Sequence, residues 1–120
     1  MKDQLATKHQ LFIDEVCEAM RNNAFKIGFD KAQLPQFSWQ SLCVTLVKDP
    51  ANGAQCLSGS WRDKNGYTIG SFQVNGDGSF FAEHDLVLPH PTDKRWFVEA
   101  MTAWGNNQKI LTEPRLLAAV

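Results

Sequence analysis

The 120-residue chain lacks several features that would place it in a functional class at once. It contains no uninterrupted apolar run of about 18 residues, so the sequence predicts no membrane-spanning helix. Its first residues, MKDQLATKHQLFIDEV, contain no unbroken apolar segment of the kind that secretory signals carry. Twelve basic residues stand against 13 acidic ones, which leaves no excess of positive charge for nucleic acid. We therefore expect a cytoplasmic protein that binds neither nucleic acid nor membrane.

Cysteine and catalytic signatures are also scarce. The chain has three cysteines, an odd number, with no C-x-x-C pair, which is typical of a reduced cytosolic protein rather than a disulfide scaffold. No G-x-S-x-G, P-loop, H-E-x-x-H or Rossmann fingerprint is present. The sequence predicts no catalytic residues, no cofactor and no bound metal.

A hydrophobic content of 43% is sufficient for one core, which predicts a single domain over residues 1–120. Residues 3–25 show apolar side chains at helical spacing, with acidic side chains on the opposite, solvated side. The apolar side carries Leu5, Phe12, Val16, Ala19 and Met20. This pattern predicts an amphipathic N-terminal helix.

Four strand-like segments follow within residues 38–88. They cover about 38–48, 54–63, 67–75 and 79–88. The separators D-P-A-N-G, K-N-G and N-G-D-G are turn sequences, because glycine and asparagine accept positive φ angles at low cost. Such short connections favour an antiparallel meander over crossover connections.

The apolar alternation also predicts a register, because a slip of one residue moves every side chain to the opposite face. A turn at Asn65-Gly66 pairs Trp61 with Gly70, Gly59 with Phe72 and Leu57 with Val74.

The fourth strand has two candidate registers. A two-residue turn at Gly76-Asp77 places Phe81, Glu83, Asp85 and Val87 on the core side. A three-residue turn, with Gly78 in the left-handed region, places Phe80, Ala82, His84, Leu86 and Leu88 there instead. The second register is favoured, because burying an unpaired carboxylate costs several kcal/mol.

Residues 92–104 are predicted to form a second helix, with Thr92 as N-cap, Asp93 in the first turn and Gly105 as the stop. Its apolar face would consist of Trp96, Phe97, Ala100, Met101 and Trp104. Residues 106–120 are predicted to be a tail with a short helix near its end. The expected fold class is α+β: a two-layer sandwich of helix, four-stranded antiparallel meander and helix, with both helices on one sheet face.

The histidines do not form a metal motif. His84 and His90 share a face of an extended segment but lie roughly 20 Å apart at about 3.3 Å per residue. His90 precedes Pro91 and is interpreted as a junction residue. His84 lies across from Gly70, where it is either a hydrogen-bonded core residue or a pocket histidine with a tunable proton. Whether His9 meets His84 across the core stays open.

Two functional hypotheses follow. The first is a non-enzymatic protein-interaction module, of the adaptor, chaperone or immunity type, whose outer sheet face binds a protein partner or a second copy as a homodimer. That face is too apolar to be fully open to water, unless loop 26–37 or the C-terminal tail covers it. The candidate interface residues are Trp39, Val47, Ile69, Phe81 and Val87.

The alternative is a small-ligand binding or sensing domain, or an enzyme, with a pocket between the sheet and the helices. The candidate lining residues are His84, Tyr67, Trp61 and Trp96. Tyr67 fits this hypothesis less well, because the predicted register directs it outward.

Overall fold

The computed structural model describes residues 2–34, 38, 40–48, 50–51 and 53–119, with side chains described from residue 9 onward. In these residues, one helix, α1 (Lys2–Ile27), leads through a short 3-10 turn to six strands. The strands are β1 (Cys43–Lys48), β2 (Gln55–Arg62), β3 (Thr68–Val74), β4 (Phe80–Pro89), β5 (Trp96–Asn106) and β6 (Lys109–Ala118). They form a six-stranded antiparallel sheet in the order β1-β2-β3-β4-β5-β6. The mixed helix and antiparallel-sheet content is confirmed.

The predicted second helix is wrong, and so is the predicted two-layer sandwich with both helices on one face of a four-stranded meander. Residues 92–104 contribute most of β5, which pairs with β4 on one side and β6 on the other. The predicted tail over 106–120 contains β6. A strand that is buried on both faces reads as a continuous apolar run, which periodicity does not separate from a helix. The buried residues of β5 are Val98, Ala100, Met101, Thr102 and Ala103.

A β-bulge in β5 explains why the core residues of this segment have a helical spacing in the sequence. The register shifts between Val98 and Ala100, so Glu99 is an extra residue relative to β6. Val98 and Met101 consequently both reach the core, although they are three residues apart. A spacing of three is helical, whereas an uninterrupted strand would keep a spacing of two.

The predicted register of the central strands is confirmed. Trp61 pairs with Gly70, and Gly70 pairs with His84 on its other side. The β3–β4 connection is the three-residue turn, in which Gly78 has a φ of +89° and the N–H of Asn75 donates to the carbonyl of Ser79.

The core lies between α1 and the inner face of the sheet. The buried residues of the helix are Ile13, Val16, Cys17, Met20 and Ala24, and they pack against Leu57, Trp61, Phe72, Phe80, Ala82 and Met101 of the sheet. The Phe12 ring meets Phe80 edge-on, with centroids 5.1 Å apart. Asn23 joins the helix to β6, since its Nδ2 donates to the carbonyl (2.9 Å) and the hydroxyl (2.6 Å) of Thr112. Within the described residues, no helix has the length and apolar character needed to cross a membrane.

Candidate functional site

The four residues predicted to line a ligand pocket do not come together at one place. Trp61 and His84 are neighbours in the core, with ring centroids 5.2 Å apart. Tyr67 lies at the β2–β3 turn with 71% of its surface exposed. Trp96 begins β5, five residues before Met101, the residue that pairs with His84. Of the four predicted lining residues, only Trp61 and His84 therefore support the pocket hypothesis.

His84 has the geometry of a hydrogen-bonded core residue. It is only 2% exposed, and its Nδ1 lies 2.9 Å from the carbonyl oxygen of Asp85. A cavity of about 500 Å³ borders it, lined also by Ile69, by residues 32–34 and by residues 85–88. Every buried side-chain nitrogen and oxygen of the described residues has a hydrogen-bond partner. The ring therefore offers little unsatisfied polar surface to a ligand.

Gly70 creates the space for this arrangement. An added Cβ at Gly70 would come within 2.8 Å of Cε3 of Trp61 and 2.7 Å of the carbonyl oxygen of Glu83. A residue with a side chain would therefore displace the indole that packs against His84.

The burial of His84 predicts a pH-dependent stability. Burial lowers the pKa of His84 below its ordinary value of 6.5, although the carbonyl and the carboxylate of Asp85 oppose the shift. The unfolded chain consequently binds this proton more readily than the folded chain. The contribution of His84 to stability is complete above pH 6.5 and is lost as the pH falls below that value.

We expect the urea midpoint of the wild-type protein to fall between about pH 7.5 and about pH 5. The His84→Gln variant carries no titratable group there, so its midpoint should fall less over the same range. Equal slopes for both proteins would show that other groups cause the change.

His9 and His84 line different cavities. His9 borders a space of about 330 Å³ together with Phe12, Gln55 and Asn75. The described part of the chain contains no group of three potential metal ligands among histidine, cysteine, aspartate and glutamate. The third histidine, His90, has a local role, since its Nδ1 accepts hydrogen bonds from the backbone N–H groups of the two residues that follow Pro91.

The three cysteines are all unpaired. Burial raises the pKa of the Cys17 thiol to about 12, against a smaller opposing effect of Arg21. Cys56 is also buried, and Cys43 is exposed on β1.

The predicted interface residues have different surroundings. Phe81, Val47 and Val87 are exposed. Ile69, which was expected on the outer face, instead packs against the core, because the bulge opposite Trp61 interrupts the alternation of β3. Trp39 lies outside the described residues.

A row of apolar side chains crosses the outer face of β4, β5 and β6. Phe81 pairs with Trp104, and Trp104 pairs with Leu111. Phe81 is 44% exposed and Leu111 is 39% exposed. We call these three residues, two of them aromatic and the third a leucine, the aromatic row. A groove of about 780 Å³ runs beside it, lined by Phe81, Thr102, Trp104, Glu113, Pro114, Arg115 and Leu116.

An ion-pair cluster borders the aromatic row. Arg115 on β6 contacts the carboxylate of Glu83 on β4 and lies 3.3 Å from the carboxylate of Glu99 in the β5 bulge. The hydrogen bond to Glu83 and the two nearby charges raise the pKa of Arg115. Beyond the cluster, Phe97 of β5 pairs with Leu117 of β6, and both side chains are exposed.

Sequence reasoning found Phe81 but missed Trp104 and Leu111. It placed Trp104 on a helix and Leu111 in a tail, so neither could be aligned with a strand. The signal that could have found them is the polar pair Asn107-Gln108, which closes the β5–β6 hairpin. A two-residue turn at Asn107-Gln108 pairs Asn106 with Lys109 and therefore Trp104 with Leu111.

Comparisons with protein-family models, with curated proteins and with solved structures find no match to this chain.

Proposed function

We propose that this protein is a non-enzymatic protein-interaction module that binds its partner through the outer face of β4, β5 and β6. The observation that carries the proposal is the exposed aromatic row beside a groove. Aromatic residues together with arginine are enriched in protein interfaces, whereas an isolated exposed apolar side chain has no such meaning. Here the exposed Phe81 and Leu111 lie on either side of the half-buried Trp104, so three apolar side chains adjoin on adjacent strands.

The charges around the groove favour one kind of partner. Glu83 and Glu99 contact Arg115, and Glu113 lines the same groove, so carboxylates outnumber the guanidinium by three to one. We infer that the partner presents an apolar side chain to the aromatic row and a basic residue to this border. Complementary charge of this kind increases the association rate and selects the partner.

The ligand-binding alternative has weaker support. His84 is enclosed and hydrogen-bonded, and its proposed companions Tyr67 and Trp96 lie elsewhere. The cytoplasm is the proposed setting, because three free cysteines suit a reducing compartment.

A photo-crosslinking experiment tests the proposal. A photoreactive phenylalanine analogue at Phe81 should give a discrete protein adduct in cells. The same analogue at Tyr67, an exposed aromatic position away from the groove, should give none. Leu111→Glu in the Phe81 probe protein should lower the adduct yield at least about tenfold, since removing an interface hot spot costs more than 1.4 kcal/mol.

Leu111 is half exposed at the surface, so the glutamate variant should keep the unfolding midpoint of the parent protein. Identical adducts from both probe positions would contradict the proposal. An adduct that survives Leu111→Glu in a folded protein would contradict it as well.

A further inference from the structure

The sheet has two edges, and they differ in how well they are protected. In the described part of the chain, β1 pairs only with β2, and β6 pairs only with β5. An exposed edge presents unpaired backbone N–H and C=O groups, to which another strand can bind. Proteins usually protect such edges with proline, charge or a covering side chain.

The β6 edge is protected at two adjacent positions. The carbonyl of Thr112 accepts a hydrogen bond from Asn23 of α1, which shows that the backbone groups of Thr112 point away from β5. Alternate residues of an antiparallel strand point to the same side, so Pro114 faces this edge as well. Proline has no N–H to donate. A strand that approached β6 would lose both a donor and an acceptor.

In the half of the sheet that contains β1, the directions of the backbone N–H and C=O groups follow from the β3–β4 turn. The N–H of Asn75 donates to Ser79, so the backbone groups of Asn75 point toward β4. By alternation, those of Val74 and Phe72 point toward β2. The β2–β3 turn agrees, because the N–H of Asp63 donates to Tyr67.

The same alternation assigns the groups of β1. In β2, Leu57 and Gly59 pair with Val74 and Phe72 and point toward β3, so Ser58 points toward β1. Ser58 pairs with Thr45, and these two residues exchange hydrogen bonds. The backbone groups of Val44 and Leu46, on either side of Thr45, therefore point to the open edge.

Among the residues that the structure describes, none gives the β1 edge the kind of protection found on β6. The strand sequence CVTLVK contains no proline, and its single charged residue, Lys48, stands at its end. The backbone of α1 approaches β5 and β6 most closely, in the half of the sheet away from β1. The side chains of Val44 and Leu46 are only half buried.

We propose that a second copy of this chain pairs with β1 along this edge, antiparallel and around a two-fold axis at Thr45. In this register Val44 lies opposite Leu46 of the second copy, and each Thr45 lies opposite the other. The N–H and C=O groups of Val44 and Leu46 then form four hydrogen bonds, with every donor facing an acceptor. The β-branched and apolar pairs that result are favourable across strands, and the contact is self-complementary, as a two-fold interface requires.

The resulting dimer is a continuous sheet with both helices on one face and both aromatic rows on the other. The two copies thereby present two grooves to the same side. This inference does not depend on the function proposed above, because β1 and the aromatic row lie in opposite halves of the sheet.

A register-specific disulfide tests the proposed pairing. The two Thr45 residues form a non-hydrogen-bonded pair, whose Cα atoms lie about 4.5 Å apart in antiparallel sheets. That distance is within the range for a disulfide. Thr45→Cys should therefore give a disulfide-linked dimer of the 13.5 kDa chain under mild oxidation.

Native Cys43 provides the matched control. In this register Cys43 lies opposite Val47 of the second copy, and the two Cys43 residues are four positions apart, about 13 Å at about 3.3 Å per residue. The wild-type chain should therefore remain unlinked, although Cys43 is exposed. Val47→Cys should crosslink, and adding Cys43→Ser should abolish that crosslink.

Light scattering tests the association without a crosslink. From micromolar to millimolar concentration, the wild-type mass should rise from 13.5 kDa toward twice that value. Thr45→Lys places two ammonium groups opposite each other and should hold the mass at that of the monomer. Ser58→Lys adds the same charge on the same face one strand further from the edge, and it should associate like the wild type.

The outcomes separate this inference from the proposed function. Leu111→Glu should leave the mass unchanged, because Leu111 lies on β6. A wild-type chain that stays monomeric at millimolar concentration would overturn the β1 pairing. Equal crosslinking of wild type and Thr45→Cys would overturn the register.

Discussion

Trp61→Ala is expected to lower the free energy of unfolding by about 3–5 kcal/mol, the usual cost of removing a buried tryptophan or phenylalanine side chain. Trp61 is 1% exposed and packs against Phe72, with centroids 6.1 Å apart, and against His84. Its Nε1 also donates to the carbonyl of Ser38. The substitution leaves a cavity and removes that hydrogen bond.

Urea unfolding of the purified variant measures this loss. Tyr67→Ala is the matched control, because Tyr67 is an exposed aromatic residue at the end of the same hairpin. Surface substitutions of this kind usually change stability by less than about 0.5 kcal/mol. Similar values for the two variants would show that Trp61 is not a core residue.

Gly105→Ala is expected to cost about 2–5 kcal/mol, the sum of backbone strain and a steric clash. Gly105 has a φ of +130°, a conformation that side chains rarely adopt. An added Cβ would also collide with the carbonyl oxygen of Lys109 across the β5–β6 hairpin. Neither effect can be relieved without moving the hairpin.

Gly66→Ala separates the cost of backbone strain from the cost of the steric clash. Gly66 has a φ of +87°, but an added Cβ would meet no atom within 4 Å. We expect it to cost only about 1–2 kcal/mol, the strain of a left-handed residue. If Gly105→Ala were no more destabilising than Gly66→Ala in urea unfolding, the close approach of Lys109 to Gly105 would be refuted.

The sequence predicted the surroundings of Trp61 correctly and those of Gly105 incorrectly. Trp61 was placed correctly, opposite Gly70 and on the core face, because the short turns on both sides of β3 limit the register to few choices. Gly105 was interpreted as the stop of a helix, whereas it lies inside a hairpin. Both roles use positive φ, so a glycine by itself does not distinguish them.

The error over β5 has a physical cause. Its alanine and methionine residues favour helices, and the bulge at Glu99 gives Val98 and Met101 a helical spacing. What makes the segment a strand is pairing with β4 and β6, which lies outside its own sequence. The aromatic row was therefore seen only in part, because two of its three residues belong to β5 and β6.

The sequence alone determined α1 and the central meander from β2 to β4, because their signals are local. An amphipathic period identifies a helix, and glycine-containing turns identify hairpins, without knowledge of the rest of the chain. The tertiary structure decided the last two strands, the groove beside Trp104 and the contrast between the two sheet edges. Those features depend on which neighbour covers a segment, and Asn23 of the helix protects β6 from 89 residues away in the chain.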